Sequence, residues 1–280
     1  MRRLPSGWPA LAAGLSFSAA GLGLLWAAAG RRLDAPPALL AVFAAAFLGG
    51  GILVAVYGWR GAARARLVAM HPAEPWRFDR AWDPGGALDE TGKEARTALA
   101  QAIGAAAFLL PFHALFALEP EGVPVLALAV FDLVPVLLLG RAAHLRLRRR
   151  KYGTSRLRFE RFPYFLGETF AATLVLGQRA PLVRALEVTL SCEESRPPEP
   201  EAGDPARHGW TEVELYRATQ VTRGARSLGV RFELPAGTRP LGTDLTGPVP
   251  RRWWLRVRGK APGIDYAAAF PVPIYAPPGG

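Results

Sequence analysis

Four stretches of this chain are so long and so poor in charge that they constrain the fold before anything else is considered. The first runs from about Trp8 to Ala29 with no charged residue; the others run from about Pro36 to Trp59, Thr97 to Leu118 and Val123 to Gly140. A bilayer core of about 30 Å needs roughly 20 apolar helical residues to cross it. In lipid each backbone N–H and C=O must be satisfied within the segment, so all four read as transmembrane helices. Short connections pair them as two hairpins. Residues 1–145 thus form a membrane domain, with a cytoplasmic loop at 60–96, and residues 146–280 form a soluble one.

Lys and Arg placement sets the expected orientation. Arg2 and Arg3 precede the first span, seven basic residues lie between Arg60 and Arg96, and a cluster of Arg146, Arg148, Arg149, Arg150 and Lys151 follows the fourth span. The turn Glu119-Pro120-Glu121-Gly122 has no basic residue, which puts both termini in the cytoplasm; Arg31 and Arg32, in the outer turn of the first hairpin, run against this. The alternative, a signal peptide cleaved after Ala27-Ala28-Ala29, meets an apolar run about twice the usual length. It would also leave the two basic flanks on opposite sides, so four spans are expected.

Small residues at helix-packing spacing, Gly14 with Ser18 and Ala45 with Gly49 or Ala46 with Gly50, let helices approach closely in lipid. Trp26, Tyr57 and Trp59 fall at span ends, as interfacial aromatics do.

Two ionisable residues lie inside spans: His113 in the third and Asp132 in the fourth. A charged, unpaired carboxylate at that depth costs several kcal/mol, so Asp132 must pair, face the bundle or hold a proton. Counted from the short turn, the two depths differ by about 6 Å at 1.5 Å per residue. The pair reads either as a polar contact fixing the second hairpin or as a proton-sensitive element of a small transporter or channel component.

Within the loop, Pro75, Trp76, Arg77, Asp79 and Trp82 form an aromatic–basic segment suited to the headgroup level or to docking on the soluble part. The motif is similar to a Pro-Trp-x-x-Arg-x-Asp-Trp pattern in a family of multi-span bacterial membrane proteins, although here Asp79 and Trp82 are not adjacent. A composition rich in Ala, Arg, Gly and Pro fits a bacterial source. The resemblance implies paired spans followed by a β-rich C-terminal region in the bacterial inner membrane.

After Tyr152 the hydrophobic period changes to two. Strands are expected over Arg156–Phe162, Thr169–Gly177, Arg184–Glu193, Trp210–Val221, Ser227–Leu234, Arg251–Arg258 and Ile264–Ile274, separated by turn residues. Ser195–Gly209, rich in Pro and Glu, reads as a loop, and Ala276–Gly280 as a tail. Seven short strands suit an antiparallel immunoglobulin-like sandwich. Phe165-Leu166-Gly167-Glu168, Val230–Pro235, Trp253-Trp254-Leu255, Asp265 and Phe270-Pro271-Val272-Pro273 resemble in their order an arrestin-type sandwich. That likeness implies an interaction scaffold.

The single cysteine, Cys192, excludes an intrachain disulfide framework and falls in an apolar–polar alternation that predicts a buried thiol. No nucleophile–base pair, phosphate loop or repeated metal-ligand spacing occurs; His71, Glu74 and Asp79 lack such spacing and His208 stands in the Pro/Glu loop. No enzyme activity and no cofactor are therefore expected. The net charge of +11 clusters beside the spans, where cytoplasmic retention and anionic lipid account for it better than nucleic acid. The expected partners are the bilayer and a protein, with oligomers open. The function expected is that of a membrane-anchored scaffold, the alternative being the transporter or channel component.

Overall fold

The computed structural model describes residues 7–30, 37–118, 125–179, 185–197, 210–236 and 241–278. Arg2, Arg3, Arg31, Arg32, the 119–122 turn, residues 198–209 with His208, and the last two residues lie outside the described residues. The chain divides into two units, Met1–Ala63 with Lys93–Leu145 and Arg64–Gly92 with Arg146–Gly280.

Four helices account for the apolar stretches: α1 (Trp8–Ala29), α2 (Pro37–Met70), α3 (Thr91–Leu118) and α4 (Val125–Tyr152). All four are long and apolar enough to cross a membrane. Three run past the apolar limits read from sequence. Past Trp59, α2 continues through Ala- and Arg-rich sequence, which favours helix, and stops at His71-Pro72, where the proline disfavours helix for the residue before it. α3 and α4 continue through Pro111 and Pro135 respectively.

A seam of small residues packs α1 against α2 at a spacing of seven. A Cβ on Gly14 would lie 2.3 Å from Ala55 N, one on Gly21 2.8 Å from Leu48 N, one on Gly51 2.5 Å from Ser18 N and one on Gly58 2.3 Å from Leu11 N. Gly7, at φ 100°, completes the series on α1, and Ala44 is fully buried on α2. A strict seven-residue repeat keeps one face toward the partner helix, and the missing side chains let the backbones meet. Gly14 and Ser18 take part as their spacing predicts. Gly49 and Gly50 do not: both face open space.

The second unit is built of antiparallel sheets. One has the order β1 (Ala87–Leu88), β2 (Arg156–Phe159), β4 (Thr169–Val175), β7 (Ser227–Glu233). The other has the order β6 (Thr211–Arg223), β5 (Ala185–Arg196), β8 (Arg251–Gly259), β9 (Tyr266–Val272), and β3 (Tyr164–Phe165) pairs in parallel with β10 (Ile274–Tyr275). Alternate residues of both large sheets enter one core: Phe170 and Leu174 of β4 and Val230 of β7 meet Leu190 of β5 and Leu255 and Phe270 of the second sheet, all essentially unexposed. Each such side chain contributes roughly 1.5–3 kcal/mol by leaving water. On β8 the inward residues are Trp253, Leu255 and Val257; Trp254 faces outward under the Arg256 guanidinium.

Residues 87–91 belong to this unit. Asp89 N donates to Ser155 O and Glu90 N to Ala269 O, while Asp89 Oδ1 accepts from Ala269 N, Thr91 N and Thr91 Oγ1. The carboxylate therefore caps the start of α3 while bound to β9. Burial is the main influence on it and pushes its pKa up, with the Thr91 and Ala269 hydrogen bonds opposing.

Candidate functional site: the Trp76–Asp79–Tyr275 cluster and its pocket

Only residues 71–90 between α2 and α3 lie outside the helices. Pro75–Arg77 forms one 3-10 turn, and Asp79 N donates back to Pro75 O. This turn carries Trp76 to Phe165 and Tyr275, each at 5.6 Å between ring centroids. Asp79 is 3% exposed: its Oδ2 accepts from Tyr275 Oη at 2.7 Å and its Oδ1 from Trp82 Nε1 at 3.1 Å. The same indole N–H reaches Tyr275 Oη at 2.9 Å. Desolvation raises the Asp79 pKa above the usual carboxylate range, the hydrogen bonds from Tyr275 and Trp82 working against it. Burial and the neighbouring Asp79 charge raise the Tyr275 hydroxyl as well.

Trp76, Asp79 and Trp82 thus converge, and Pro75 shapes the turn that delivers them. Arg77 turns away, to an exposed pair with Glu74 at 3.0 Å. Arg80 pairs with Glu90 and lies over the Trp82 ring. Tyr275, the residue on which the cluster closes, was not among the expected site residues. The signal for it is the uninterrupted run Val272-Pro273-Ile274-Tyr275, which continues the apolar strand to the edge of the tail.

Beside the cluster is a cavity of about 510 Å³. Its walls include Trp76, Tyr275 and the prolines 72, 75, 277 and 278, and its polar side chains are Thr243, Asp244 and Arg251. Thr243 donates both N and Oγ1 to Ile274 O, and Asp244 Oδ1 accepts from Gly247 N at 2.7 Å. Arg251 Nε lies 3.4 Å from Glu194 Oε2 without hydrogen-bond alignment, and its Nη1 is buried with no acceptor among the described residues.

The basic cluster occupies the last turns of α4, where cations suit the helix dipole. Arg146, Arg149 and Arg150 are exposed. Lys151 is committed to the fold: Nζ donates to Ile264 O at 2.8 Å and lies 4.9 Å from the Tyr152 ring centroid.

His113 and Asp132 meet in the first unit, Nε2 to Oδ2 at 3.1 Å, with side chains 44% and 42% exposed on the helices. His113 Nδ1 lies 3.0 Å from Leu109 O. A carbonyl only accepts, so Nδ1 carries a hydrogen, and a neutral imidazole then has a bare Nε2. A hydrogen bond between Nε2 and Oδ2 needs one further proton, on the ring or on the carboxyl. This pair can hold a shared proton.

The remaining feature is β6, a 13-residue strand hydrogen-bonded to β5 on one side and at the edge of its sheet on the other. Among the described residues no group of three or more His, Cys, Asp or Glu is placed to hold a metal. Cys192 is fully buried, and burial pushes its thiol up to about 12.

No family model matches this chain, and no curated protein matches it. Among solved structures it is similar to Spo0M, a sporulation control protein from Bacillus subtilis, at 14% identity and a TM-score of 0.28. The match covers 44% of this chain and 49% of Spo0M, so the chain spans about half the length of that protein.

Proposed function

We propose that this protein is a membrane-anchored interaction scaffold. In this reading α1–α4 cross the bacterial inner membrane with both termini in the cytoplasm. The β unit is an arrestin-like sandwich that offers a binding surface to another protein at the membrane face. The observation that carries the reading is β6, whose 13 residues have, among the described residues, no strand paired along one edge. Such an edge adds a partner's strand through main-chain hydrogen bonds. Val221, 73% exposed on it, supplies an apolar anchor. A photo-crosslinking amino acid at Val221 of the full chain should capture one specific partner. The same group at exposed Arg158 on β2 should not, and Thr219→Lys with Val221→Lys should abolish capture by charging the edge. Equal capture from both sites, or none from Val221, ends this reading.

The His113–Asp132 contact supports a second reading, a small transporter or channel component that uses the pair. Proton-linked flux in proteoliposomes, lost on Asp132→Asn, is the outcome it requires. Normal flux in that variant would remove the pair from any such role.

A further inference from the structure

We propose that β6 pairs edge to edge with β6 of a second copy of this chain, the two strands antiparallel about a two-fold axis at Thr219. The inference rests on the scaffold reading and names the partner at that same edge.

The strand is 13 residues long, against a usual length of about five or six. Among the described residues no strand pairs with its outer edge, and it holds no proline and no lysine, residues that commonly blunt such edges. An edge of this kind takes up another strand, and the order of charges along β6 selects which one. Its faces are set by the register with β5. Cys192 lies opposite Tyr216 and Glu193 opposite Glu214, so Leu215 is the extra residue of a β-bulge. Leu215, Tyr216 and Ala218 pack on the core. Glu212 and Glu214 before the bulge, and Arg217, Thr219, Val221 and Arg223 after it, are exposed on the outer face. That face is acidic at the start of the strand and basic towards its end. Reversed against itself, such a strand meets its own complement.

Directly opposed residues of an antiparallel pair share a face, so the two-fold axis passes through a residue and not between two. An axis at Arg217 sets that arginine against its own copy, and one at Gln220 sets Arg217 against Arg223 twice. Like charges so opposed disfavour pairing. An axis at Ala218 puts Glu212 opposite Arg223, but Glu212 already accepts from Ser195 Oγ at 3.0 Å and lies 3.7 Å from Arg252. Axes nearer the strand ends pair fewer residues. An axis at Thr219 opposes no like charges: Arg217 falls opposite Val221 and Tyr216 opposite Thr222. With Leu215 taken up in the bulge, Glu214 falls opposite Arg223, and symmetry makes that ion pair twice. Both groups are available for it. Arg223 has no side-chain partner among the described residues, and Glu214 meets Arg217 in an exposed contact at 3.4 Å. The contact uses the same edge on both copies, so assembly stops at two.

The test uses the full chain in native membranes, with a photo-crosslinking amino acid at Val221 of one tagged copy and a different tag on a second. Crosslinking should give a product of twice the chain mass that bears both tags. Arg223→Glu in both copies turns both ion pairs into carboxylate pairs and should cut this product roughly tenfold; Glu214→Arg in both copies should do the same. An Arg223→Glu copy expressed with a Glu214→Arg copy is again complementary at both positions, and the product should return. Both positions are exposed, and recovery on mixing shows that each variant is folded. No self-capture at Val221, self-capture indifferent to both charge changes, or no recovery on mixing overturns the proposal. Capture of a different protein without self-capture overturns it while the scaffold reading stands, and capture of nothing ends both.

Discussion

Tyr275 and Asp79, 196 residues apart in sequence, are joined by a 2.7 Å hydrogen bond from the tyrosine hydroxyl to Oδ2. The bond fastens the segment that follows α2 to the last strand of the chain, and the Trp82 indole donates to both partners. The segment between α2 and α3 is thereby part of the β unit and not a free connection.

Asp79→Ala should destabilise that unit by about 1–3 kcal/mol, the cost of leaving a buried donor unmet. The cost stays in that range because Trp82 still reaches the Tyr275 oxygen. Denaturant unfolding of Asp79→Ala, Tyr275→Phe and the double variant should show non-additive losses, since the two changes remove one shared contact. Strict additivity would mean that the contact contributes nothing.

The pH dependence of stability should carry the same signature. Burial raises Asp79 and Asp89 above their ordinary value of 3.8. The folded chain then binds these protons more tightly than the unfolded chain. Their contribution is therefore present in full below 3.8 and is lost as pH rises through the folded values. Subtracting the unfolding curve of Asp79→Asn from that of the native chain between pH 4 and 8 should leave a stability difference that falls as pH rises. A difference that grows with pH would contradict the assignment.

On the α1–α2 seam, Gly14→Leu should cost at least about 1–3 kcal/mol, because its Cβ would meet backbone that cannot yield without separating the helices. Gly49→Leu should be close to neutral, since nothing lies within 4 Å of the added carbon. Thermal denaturation in detergent distinguishes the two, and equal effects would refute the seam.

The lone thiol should resist maleimide in the folded protein and react once the β unit is unfolded. Cys192 is fully buried and its thiolate is disfavoured, with a pKa of about 12. Rapid labelling under native conditions would show that the core opens there.

The helices and most strands were legible in the sequence because each follows from a local pattern. Uncharged runs of span length specify α1–α4, and period-two alternation specifies strands such as β4, with Phe170, Ala172 and Leu174 inward. The limits of α2 and α4 were less legible, since apolar composition ends where a membrane would end while the helical hydrogen-bond ladder continues into Arg-rich sequence. The α1–α2 seam was half visible. Four-residue spacing identified Gly14 and Ser18, but the repeat of seven through Gly51 and Gly58 carries the packing.

By itself, then, the sequence determined which segments are helix or strand and which faces are apolar, because near-neighbour hydrogen bonding and periodicity decide those. It also supplied the ionisable residues of the apolar helices and the aromatic–acidic motif of the loop. Only the tertiary structure decided that Asp79 and Trp82 close on Tyr275, that His113 and Asp132 lie within hydrogen-bond reach, and that Trp76 and Arg251 line one cavity. Those are contacts between residues distant in the chain, and their existence depends on register and packing that no local pattern specifies.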